Sequence, residues 1–151
     1  MDILVKKEKI FDNIVAVSGT KKEAIRTISR LCAKQTMLDA TKLEEAFWKR
    51  EEWDSTGCGE GTAIPHAIIK EIDEVQLFIV RFRYPIEWES FDDKKVDIAF
   101  AIIAPEEKRQ EKYLVFLSRL ARKLVDEKFI ANFRNCRSTE AVYQYVKNEL
   151  E

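Results

Sequence analysis

Val-Asp-Ile-Ala-Phe-Ala-Ile-Ile, residues 96–103, is the stretch that decides the fold class. This near-continuous apolar run has the length of a strand and is flanked by Pro85 and Pro105. A similar run, rich in β-branched and aromatic residues, precedes it over Val75–Phe82. Runs of this kind are typical of strands that are buried on both faces. The sequence therefore places both strands at the centre of a sheet.

The residues upstream of this pair predict one more strand and a helix. Ile10–Val17 has strand character and ends at Ser18-Gly19. Thr20 followed by Glu23 has the spacing of a capping box, so a helix is expected to begin there. The apolar stripe of this helix consists of Ala24, Ile25, Ile28, Leu31 and Cys32.

Four further helices are predicted from apolar periodicity and capping residues. They are a helix opened by Thr41 with Glu44 and running to about Glu52, a long amphipathic helix from about Glu107 to Val125, a short helix over Asp126–Arg134, and a last helix capped by Ser138 and running through Leu150. Beyond His66 the pattern changes from helical to extended, and the order of elements is then β-α-α-β-β-β-α-α-α. This order favours a mixed sheet covered by helices on both faces.

Composition limits the classes of function. The 151 residues are expected to form a single domain, residues 1–151, because domains typically have about 100 to 200 residues. The 26 Lys and Arg residues nearly balance the 27 Asp and Glu residues, so no nucleic acid partner is expected. The longest apolar stretch, Ile98–Ala104, is far shorter than the roughly 20 residues of a membrane span. The N-terminal apolar run is also too short for a signal-peptide core, which predicts a cytoplasmic protein.

Residue counts also limit metal and disulfide chemistry. The three cysteines, Cys32, Cys58 and Cys136, are widely spaced and fit neither a disulfide framework nor paired zinc ligands. The single histidine, His66, excludes metal sites that need two imidazoles. Neither a metal nor a cofactor is therefore expected.

A cluster of glycines precedes the only histidine. Three of the four glycines lie within five residues, and His66 follows five residues after the last of them. A loop this rich in glycine can direct several backbone N–H groups at one anion. Pro65 restricts the backbone that presents His66. The candidate phosphate-loop residues are Ser55, Thr56, Gly57, Gly59 and Gly61.

An imidazole presented in this way suits nucleophilic catalysis. Near neutral pH it is largely unprotonated, so one ring nitrogen of His66 has a lone pair that can accept a phosphoryl group. Arg50, in the last turn of the preceding helix, is the candidate cation because its guanidinium matches phosphate oxygens bidentately. The residues alone leave other interpretations open. A lone histidine is often a surface or core residue, glycine clusters often mark a turn, and Arg50 could simply complement the helix dipole.

Three other clusters allow alternative sites. Cys58 and His66 could form a nucleophile pair, although no orienting Asn or Asp is marked. Arg81 and Arg83 could line an anion site or lie at a solvated strand end. The long helix has a basic side that could contact an acidic partner or simply face solvent. This side consists of Lys112, Arg119, Arg122 and Lys123.

Several of these residues together resemble the signature of a known family. The family is the enzyme IIA domain of the bacterial phosphoenolpyruvate-dependent sugar phosphotransferase system, in its mannitol/fructose/nitrogen-regulatory class. The resemblance covers nearly the whole chain. It consists of Arg50-Glu51-Glu52, Ser55-Thr56-Gly57, Gly59, Gly61, Ala63-Ile64-Pro65-His66, Pro85-Ile86-x-Trp88, Asp92, Val96, Ala104-Pro105 and Leu117-Ser118-x-Leu120-Ala121-Arg122-x-Leu124.

This resemblance implies an α+β fold, an α/β/α three-layer sandwich around a mixed sheet, in agreement with the order of elements. It also implies a phosphoryl carrier in which His66 is the phosphoacceptor, Arg50 stabilises the phosphoryl group and Asp92 has a supporting role. The histidine-containing phosphocarrier protein would be the donor. An enzyme IIB component would be the acceptor, and a membrane permease component would act further along the route to sugar uptake.

Two positions depart from the family pattern. Many relatives have a second histidine at the start of the long helix, and the matching residue here is Tyr113. A phenol can donate a hydrogen bond to a phosphate oxygen or to the imidazole, but it does not titrate near pH 7. The residue after the histidine is commonly glycine and is Ala67 here.

The resemblance leaves three functions open. The first is a phosphoryl carrier for sugar uptake. The second is a regulatory module of the nitrogen-related type, whose phosphorylation state controls binding to partner proteins. The third is a domain that has kept the fold and lost the relay.

Overall fold

The computed structural model describes residues 5–106, 111 and 113–150. Within these residues the chain forms six strands and five α-helices, preceded by a short 3-10 helix over Lys7–Lys9. The strands are β1 (Ile10–Ile14), β2 (Gly57–Gly59), β3 (Thr62–Ala63), β4 (His66–Ile69), β5 (Gln76–Ile86) and β6 (Val96–Pro105). The helices are α1 (Lys21–Thr36), α2 (Ala40–Trp53), α3 (Leu114–Leu124), α4 (Glu127–Arg134) and α5 (Thr139–Leu150).

The six strands form one mixed sheet. Its order is β1-β5-β6-β3-β2, and β4 also pairs with β6. The β5/β6 and β2/β3 pairs are antiparallel, whereas β1/β5, β3/β6 and β4/β6 are parallel. The parallel pairing aligns His66 with Ile102 and places the first residue of β4 beside the middle of β6.

Alternation along β6 separates the core into two halves. Ile98, Phe100 and Ile102 face a cluster that includes apolar residues of α3, α4 and α5. Ala99 and Ala101 face a second cluster formed with α1 and α2. The sheet is therefore covered on both faces, which confirms the predicted three-layer α/β/α sandwich and the central position of both apolar strands.

The predicted end of the first strand is wrong. The first strand ends at Ile14 instead of Val17, because Asn13 adopts a positive φ of 55° and the register with β5 shifts between Phe11 and Ile14. The first helix does have Thr20 as its N-cap, and its side chain accepts a hydrogen bond from the backbone N–H of Glu23.

The second helix begins earlier than predicted. Asp39 is its N-cap and accepts a hydrogen bond from the N–H of Thr41 at 2.8 Å. Thr41 is therefore inside the helix and is not its cap. The helix ends at Trp53, one residue beyond the expected Glu52.

The two central strands and the C-terminal helices occur where they are predicted. β5 extends four residues beyond Phe82, and β6 extends to Pro105. Asp126 caps α4, and the hydroxyl of Ser138 accepts from the N–H of Ala141 at the start of α5. The expected start of the long helix, residues 107–110 with 112, lies outside the described residues; its described part is α3. The glycine segment, interpreted as a loop, contains the short strands β2 and β3. The described residues between α2 and α3 therefore form five strands, and the predicted order with three strands there is wrong.

No helix in the described part of the chain is long and apolar enough to cross a membrane.

Candidate functional site

His66 is the first residue of β4 and is almost buried, with 7% of its surface exposed. The ring nitrogen Nδ1 lies 2.6 Å from the carbonyl oxygen of Ile64. A carbonyl oxygen only accepts hydrogen bonds, so Nδ1 must carry the proton and donate. Nε2 of the neutral ring is then left with its lone pair, and it is the nitrogen available for bond formation.

The surroundings of His66 keep its ring neutral. Burial lowers the pKa of His66 to about 4, and the positive charge of Arg50 acts in the same direction. The hydrogen bond to Ile64 and the negative charge of Glu51 oppose these effects without cancelling them. At neutral pH the imidazole is therefore a base with a free lone pair, which is the state that a nucleophile requires.

Arg50 supplies positive charge near this ring. It lies in the last turn of α2, and its Nη1 donates to the carbonyl of Asp54 at 2.6 Å. Its guanidinium lies over the ring of Trp53, 5.3 Å from Cζ to the ring centroid. Because its charge lowers the pKa of His66, Arg50 also disfavours protonation of the imidazole. A dianion on Nε2 would instead be attracted to it.

Tyr113 is far from His66 in the sequence but lies beside it in the structure. The two rings are in an edge-to-face arrangement with centroids 6.3 Å apart. Tyr113 is buried and immediately precedes α3. The structure thus brings Tyr113 beside the imidazole, and a role for its hydroxyl at the site stays a prediction.

Sequence reasoning missed the role of Glu51, which is 4% exposed and lies at the centre of a hydrogen-bond network. Its Oε2 accepts from the N–H of Thr56 at 2.8 Å, from Nζ of Lys21 at 2.9 Å and from Nε1 of Trp88 at 3.2 Å. Its Oε1 accepts from the hydroxyl of Thr56 at 2.6 Å. A buried carboxylate requires such partners to offset its lost hydration.

A signal for Glu51 was present in the sequence. The buried residues of α2 are Leu43, Phe47 and Glu51, which are spaced four residues apart on one face of the helix. A glutamate that continues an apolar stripe towards a glycine-rich segment indicates a buried polar network.

The three clustered glycines permit close packing against neighbouring segments. A Cβ on Gly57 would lie 2.2 Å from the carbonyl oxygen of Glu89, and a Cβ on Gly59 would lie 2.4 Å from the ring of Phe91. Gly61 has a positive φ of 78°, and its Cβ would lie 2.5 Å from Nη2 of Arg134. The glycines thus allow β2 and β3 to fit beneath the chain that precedes β6.

Several N–H groups of the expected phosphate loop already have partners. Thr56 donates to Glu51, Gly57 donates to the hydroxyl of Ser55 at 3.3 Å, and Glu60 donates to Oδ2 of Asp92 at 2.8 Å. Phosphate binding by this segment stays a prediction.

Asp92 supports the turn between β2 and β3. Besides the bond from Glu60, it accepts from the hydroxyl of Ser90 at 2.9 Å and from the N–H of Lys94 at 3.1 Å. These hydrogen bonds, with that from Glu60 the largest effect, lower the pKa of Asp92 below its ordinary value. Glu60 itself has a positive φ of 55°, so Asp92 helps to fix an unfavourable backbone conformation.

Cys58 lacks the environment of a nucleophile. All three cysteines have free thiols. Burial raises the pKa of Cys58 to about 11, so at neutral pH it is protonated, whereas the thiolate is the reactive form.

The two other charged clusters have structural partners. Two nitrogens of the Arg81 guanidinium donate to the two carboxylate oxygens of Asp12 on β1, and its Nη1 donates to the carbonyl of Cys136 at 2.6 Å. Arg83 lies over the ring of Tyr84 at the exposed end of β5. On α3, Arg119 donates to the carbonyl of Leu150 at 3.3 Å and Lys123 pairs with Glu149 at 3.2 Å. Lys112 lies outside the described residues.

Among the residues that are described, no group of three or more His, Cys, Asp or Glu side chains could hold a metal ion.

Fold and site together define a class of α/β/α protein with a neutral imidazole at the start of a strand, beside an arginine and an aromatic ring. A family model described as the phosphoenolpyruvate-dependent sugar phosphotransferase system, EIIA 2, matches residues 3–149. The chain therefore belongs to this enzyme IIA family, which provides phosphoryl-transfer components of the phosphotransferase system.

Individual relatives show the same likeness. The nitrogen regulatory protein of Escherichia coli strain K12 is 36% identical over 129 residues, which cover 84% of this chain and 78% of that protein. The crystal structure of nitrogen regulatory protein IIA-Ntr from Neisseria meningitidis has a TM-score of 0.85 and 26% identity, covering 93% of this chain and 94% of that one.

A second solved structure shows the same fold at lower sequence identity. It is the complex of enzyme IIA mannitol with phosphorylated enzyme IIB mannitol from Escherichia coli. Its matched chain has a TM-score of 0.72 and 21% identity, covering 93% of this chain and 95% of that one. An enzyme IIB component is thus one partner with which a protein of this fold assembles.

Proposed function

We propose that this protein is a phosphoryl carrier, residues 1–151 forming one domain, in which Nε2 of His66 accepts a phosphoryl group from the histidine-containing phosphocarrier protein. The observation that carries the proposal is the hydrogen bond from Nδ1 to the carbonyl of Ile64 in a ring whose pKa is lowered to about 4. Together they leave Nε2 unprotonated and aimed away from the peptide that holds Nδ1.

The transfer step balances without a cofactor. The lone pair of Nε2 attacks phosphorus, and the new N–P bond forms as the bond to the donor nitrogen breaks. The ring keeps its proton on Nδ1, so positive charge develops in the imidazole while the Ile64 carbonyl continues to accept from Nδ1. That hydrogen bond becomes charge-assisted and therefore stronger during the step.

Arg50 offsets the negative charge that arrives. Its guanidinium can exchange its bond to the Asp54 carbonyl for bidentate contacts to phosphoryl oxygens. Such preorganised charge is the main contribution that a protein makes to phosphoryl transfer. The Tyr113 hydroxyl is proposed as a further donor, and Ser55, Thr56, Gly57, Gly59, Gly61 and Asp92 as the supporting segment.

The surface near His66 suits a protein partner. Trp53, which lies against Arg50, is 82% exposed, and Leu114 and Val115 beside Tyr113 are also exposed. Exposed apolar side chains around a nearly buried reactive group are typical of a docking surface. This supports transfer between proteins, with the phosphocarrier as donor and an enzyme IIB component as acceptor on the route to sugar uptake.

A second candidate function is regulation. The similarity to nitrogen regulatory proteins, at 36% identity and at a TM-score of 0.85, favours a module whose phosphorylation state controls binding to another protein. The phosphoacceptor chemistry at His66 is the same in both functions. The two differ in whether the phosphoryl group is passed on.

The proposal is tested by incubating the protein with phosphoenolpyruvate, enzyme I and the phosphocarrier protein. We expect an acid-labile phosphoryl group on the wild-type chain and none on His66→Ala. A label that persists in His66→Ala would refute the assignment, and an unlabelled, folded wild-type chain would indicate a domain that has lost the relay. Transfer from the labelled chain to enzyme IIB components favours sugar uptake, whereas phosphorylation-dependent binding without transfer favours regulation.

A further inference from the structure

We propose that Glu51 is a positioning residue for His66, acting through Thr56 and Ile64 to hold the imidazole in the tautomer that leaves Nε2 free. This inference rests on the proposed function and names a residue on which that function depends. Glu51 has no direct contact with the partner proteins in this scheme, because its side chain is buried beneath the glycine segment.

A continuous series of hydrogen bonds connects the two side chains. The carboxylate of Glu51 holds both the N–H and the hydroxyl of Thr56, at 2.8 and 2.6 Å. The carbonyl of Thr56 accepts from the N–H of Ile64 at 3.0 Å. The carbonyl of Ile64 in turn accepts from Nδ1 of His66 at 2.6 Å. A shift of the carboxylate therefore moves the group that selects the tautomer.

The position of the Ile64 carbonyl decides which nitrogen is nucleophilic. A ring nitrogen keeps its proton where an acceptor lies within hydrogen-bond distance. If the Ile64 carbonyl moves away, the proton is free to occupy Nε2, and that nitrogen then has no lone pair to offer. Loss of the support would thus reduce the reactive population without changing the residues that face the donor.

The carboxylate is itself held in place from the other side. Nζ of Lys21 lies 2.9 Å from Oε2 and its side chain is 10% exposed, so the ion pair is shielded from water. The Lys21 ammonium also lies over the ring of Trp88, whose Nε1 donates to the same oxygen at 3.2 Å. A fully satisfied buried network of this kind is rigid and can support a reactive group with little tolerance for displacement.

The experiment compares the wild-type chain with Glu51→Gln, which keeps the size of the side chain and removes its charge. Glu45→Gln, an exposed position on the same helix, is the matched control. Because the chain has a single histidine, two-bond ¹H–¹⁵N spectra report one imidazole and its tautomer without ambiguity. The rate of phosphorylation is then measured against the concentration of the phosphorylated phosphocarrier.

We expect the wild-type chain and Glu45→Gln to show the Nδ1–H form, and Glu51→Gln to gain the Nε2–H form. The maximal transfer rate of Glu51→Gln should fall on the order of 10-fold to 100-fold with an unchanged KM for the phosphocarrier. An unchanged tautomer and rate in folded Glu51→Gln would overturn the inference. A raised KM at an unchanged maximal rate would also overturn it, because it would place Glu51 in partner binding.

If Glu51→Gln does not fold, Thr56→Val and Thr56→Ser test the same hydrogen-bond connection. Thr56→Val removes the hydroxyl that donates to Oε1 and should shift the tautomer in the same direction, whereas Thr56→Ser should restore it. A wild-type tautomer in Thr56→Val would contradict the proposed connection. If the wild-type chain accepts no phosphoryl group, the proposed function fails, and the tautomer spectra still decide the role of Glu51.

Discussion

Acidification should destabilise this protein through His66 by an amount that can be worked out from the structure. The pKa of His66 is about 4 in the folded chain, against 6.5 for an unperturbed histidine, because burial and Arg50 disfavour the charged ring. Between these two values the unfolded chain binds a proton that the folded chain does not. The free energy of unfolding therefore falls as the pH falls through this window.

The size of the effect follows from the separation of the two values. Each pKa unit corresponds to about 1.4 kcal/mol, so His66 should lower the free energy of unfolding by about 3 kcal/mol between pH 7 and about pH 4. Below the folded-state value both states are protonated, and the contribution of His66 becomes constant.

Urea unfolding across this pH range measures the effect, with His66→Asn as the reference. The amide of Asn can donate to the Ile64 carbonyl as Nδ1 does, but it does not titrate. Carboxylates titrate in both proteins, so their contribution cancels in the difference. A difference in unfolding free energy between wild type and His66→Asn that does not change with pH would contradict the prediction. So would a wild-type protein that gains stability relative to the variant on acidification.

Three further predictions concern the site and its support. Arg50→Gln removes a positive charge, so it should slow phosphorylation of His66 by about 100-fold to 1000-fold and raise the pKa of His66. Stopped-flow labelling measures the rate and an NMR titration measures the pKa. A wild-type rate or a wild-type pKa would contradict the prediction. Tyr113→His should make the transfer rate depend on pH between about 6 and 7, a range in which we expect the wild-type rate to be constant. Identical pH profiles of the two proteins would show that the added imidazole does not act on the site. Gly61→Ala should destabilise the fold by about 1 to 3 kcal/mol in urea unfolding, and more than Gly19→Ala. Both glycines have a positive φ, but of these two only Gly61 would place its Cβ within 3 Å of another atom, Nη2 of Arg134, which is held by Asp97; equal losses would leave backbone strain as the whole cause.

The layers of the fold follow from patterns that are local in the sequence. The run Val96–Ile103 has apolar residues in both of its alternating sets, and the structure buries each set against different helices. The capping box at Thr20 and the stripe of the first helix are equally local. Such features are predictable because a single segment contains both the pattern and its physical reason.

The errors arise where two local signals compete or where none exists. Asp39 and Thr41 are both acceptable caps two residues apart, and only the observed hydrogen bond from Thr41 to Asp39 decides between them. β2 and β3 have three and two residues, which is too short for any periodicity. Their positions depend instead on the close approach of the glycines to the chain around Phe91.

The sequence points to the proposed reactive groups of the candidate site but not to the residues that support them. His66 and Arg50 carry chemistry that the sequence displays directly, and a family resemblance adds Tyr113. The pairing of Glu51 with Lys21, Thr56 and Trp88 joins residues up to 37 positions apart, and no local pattern specifies those partners. Two signals in the sequence point to Glu51 itself: its spacing from Leu43 and Phe47 on the buried face of α2, and its place in the family signature.

The identity of the phosphorylated atom is the decisive test of the proposed role of His66. The protein is labelled with ¹⁵N, phosphorylated through the phosphocarrier and studied by NMR, where the single imidazole gives one pair of nitrogen signals. We predict phosphorus coupled to Nε2 of His66 while Nδ1 keeps its proton and its hydrogen bond to the Ile64 carbonyl. A phosphoryl group on Nδ1, or on a residue other than His66, would contradict this prediction.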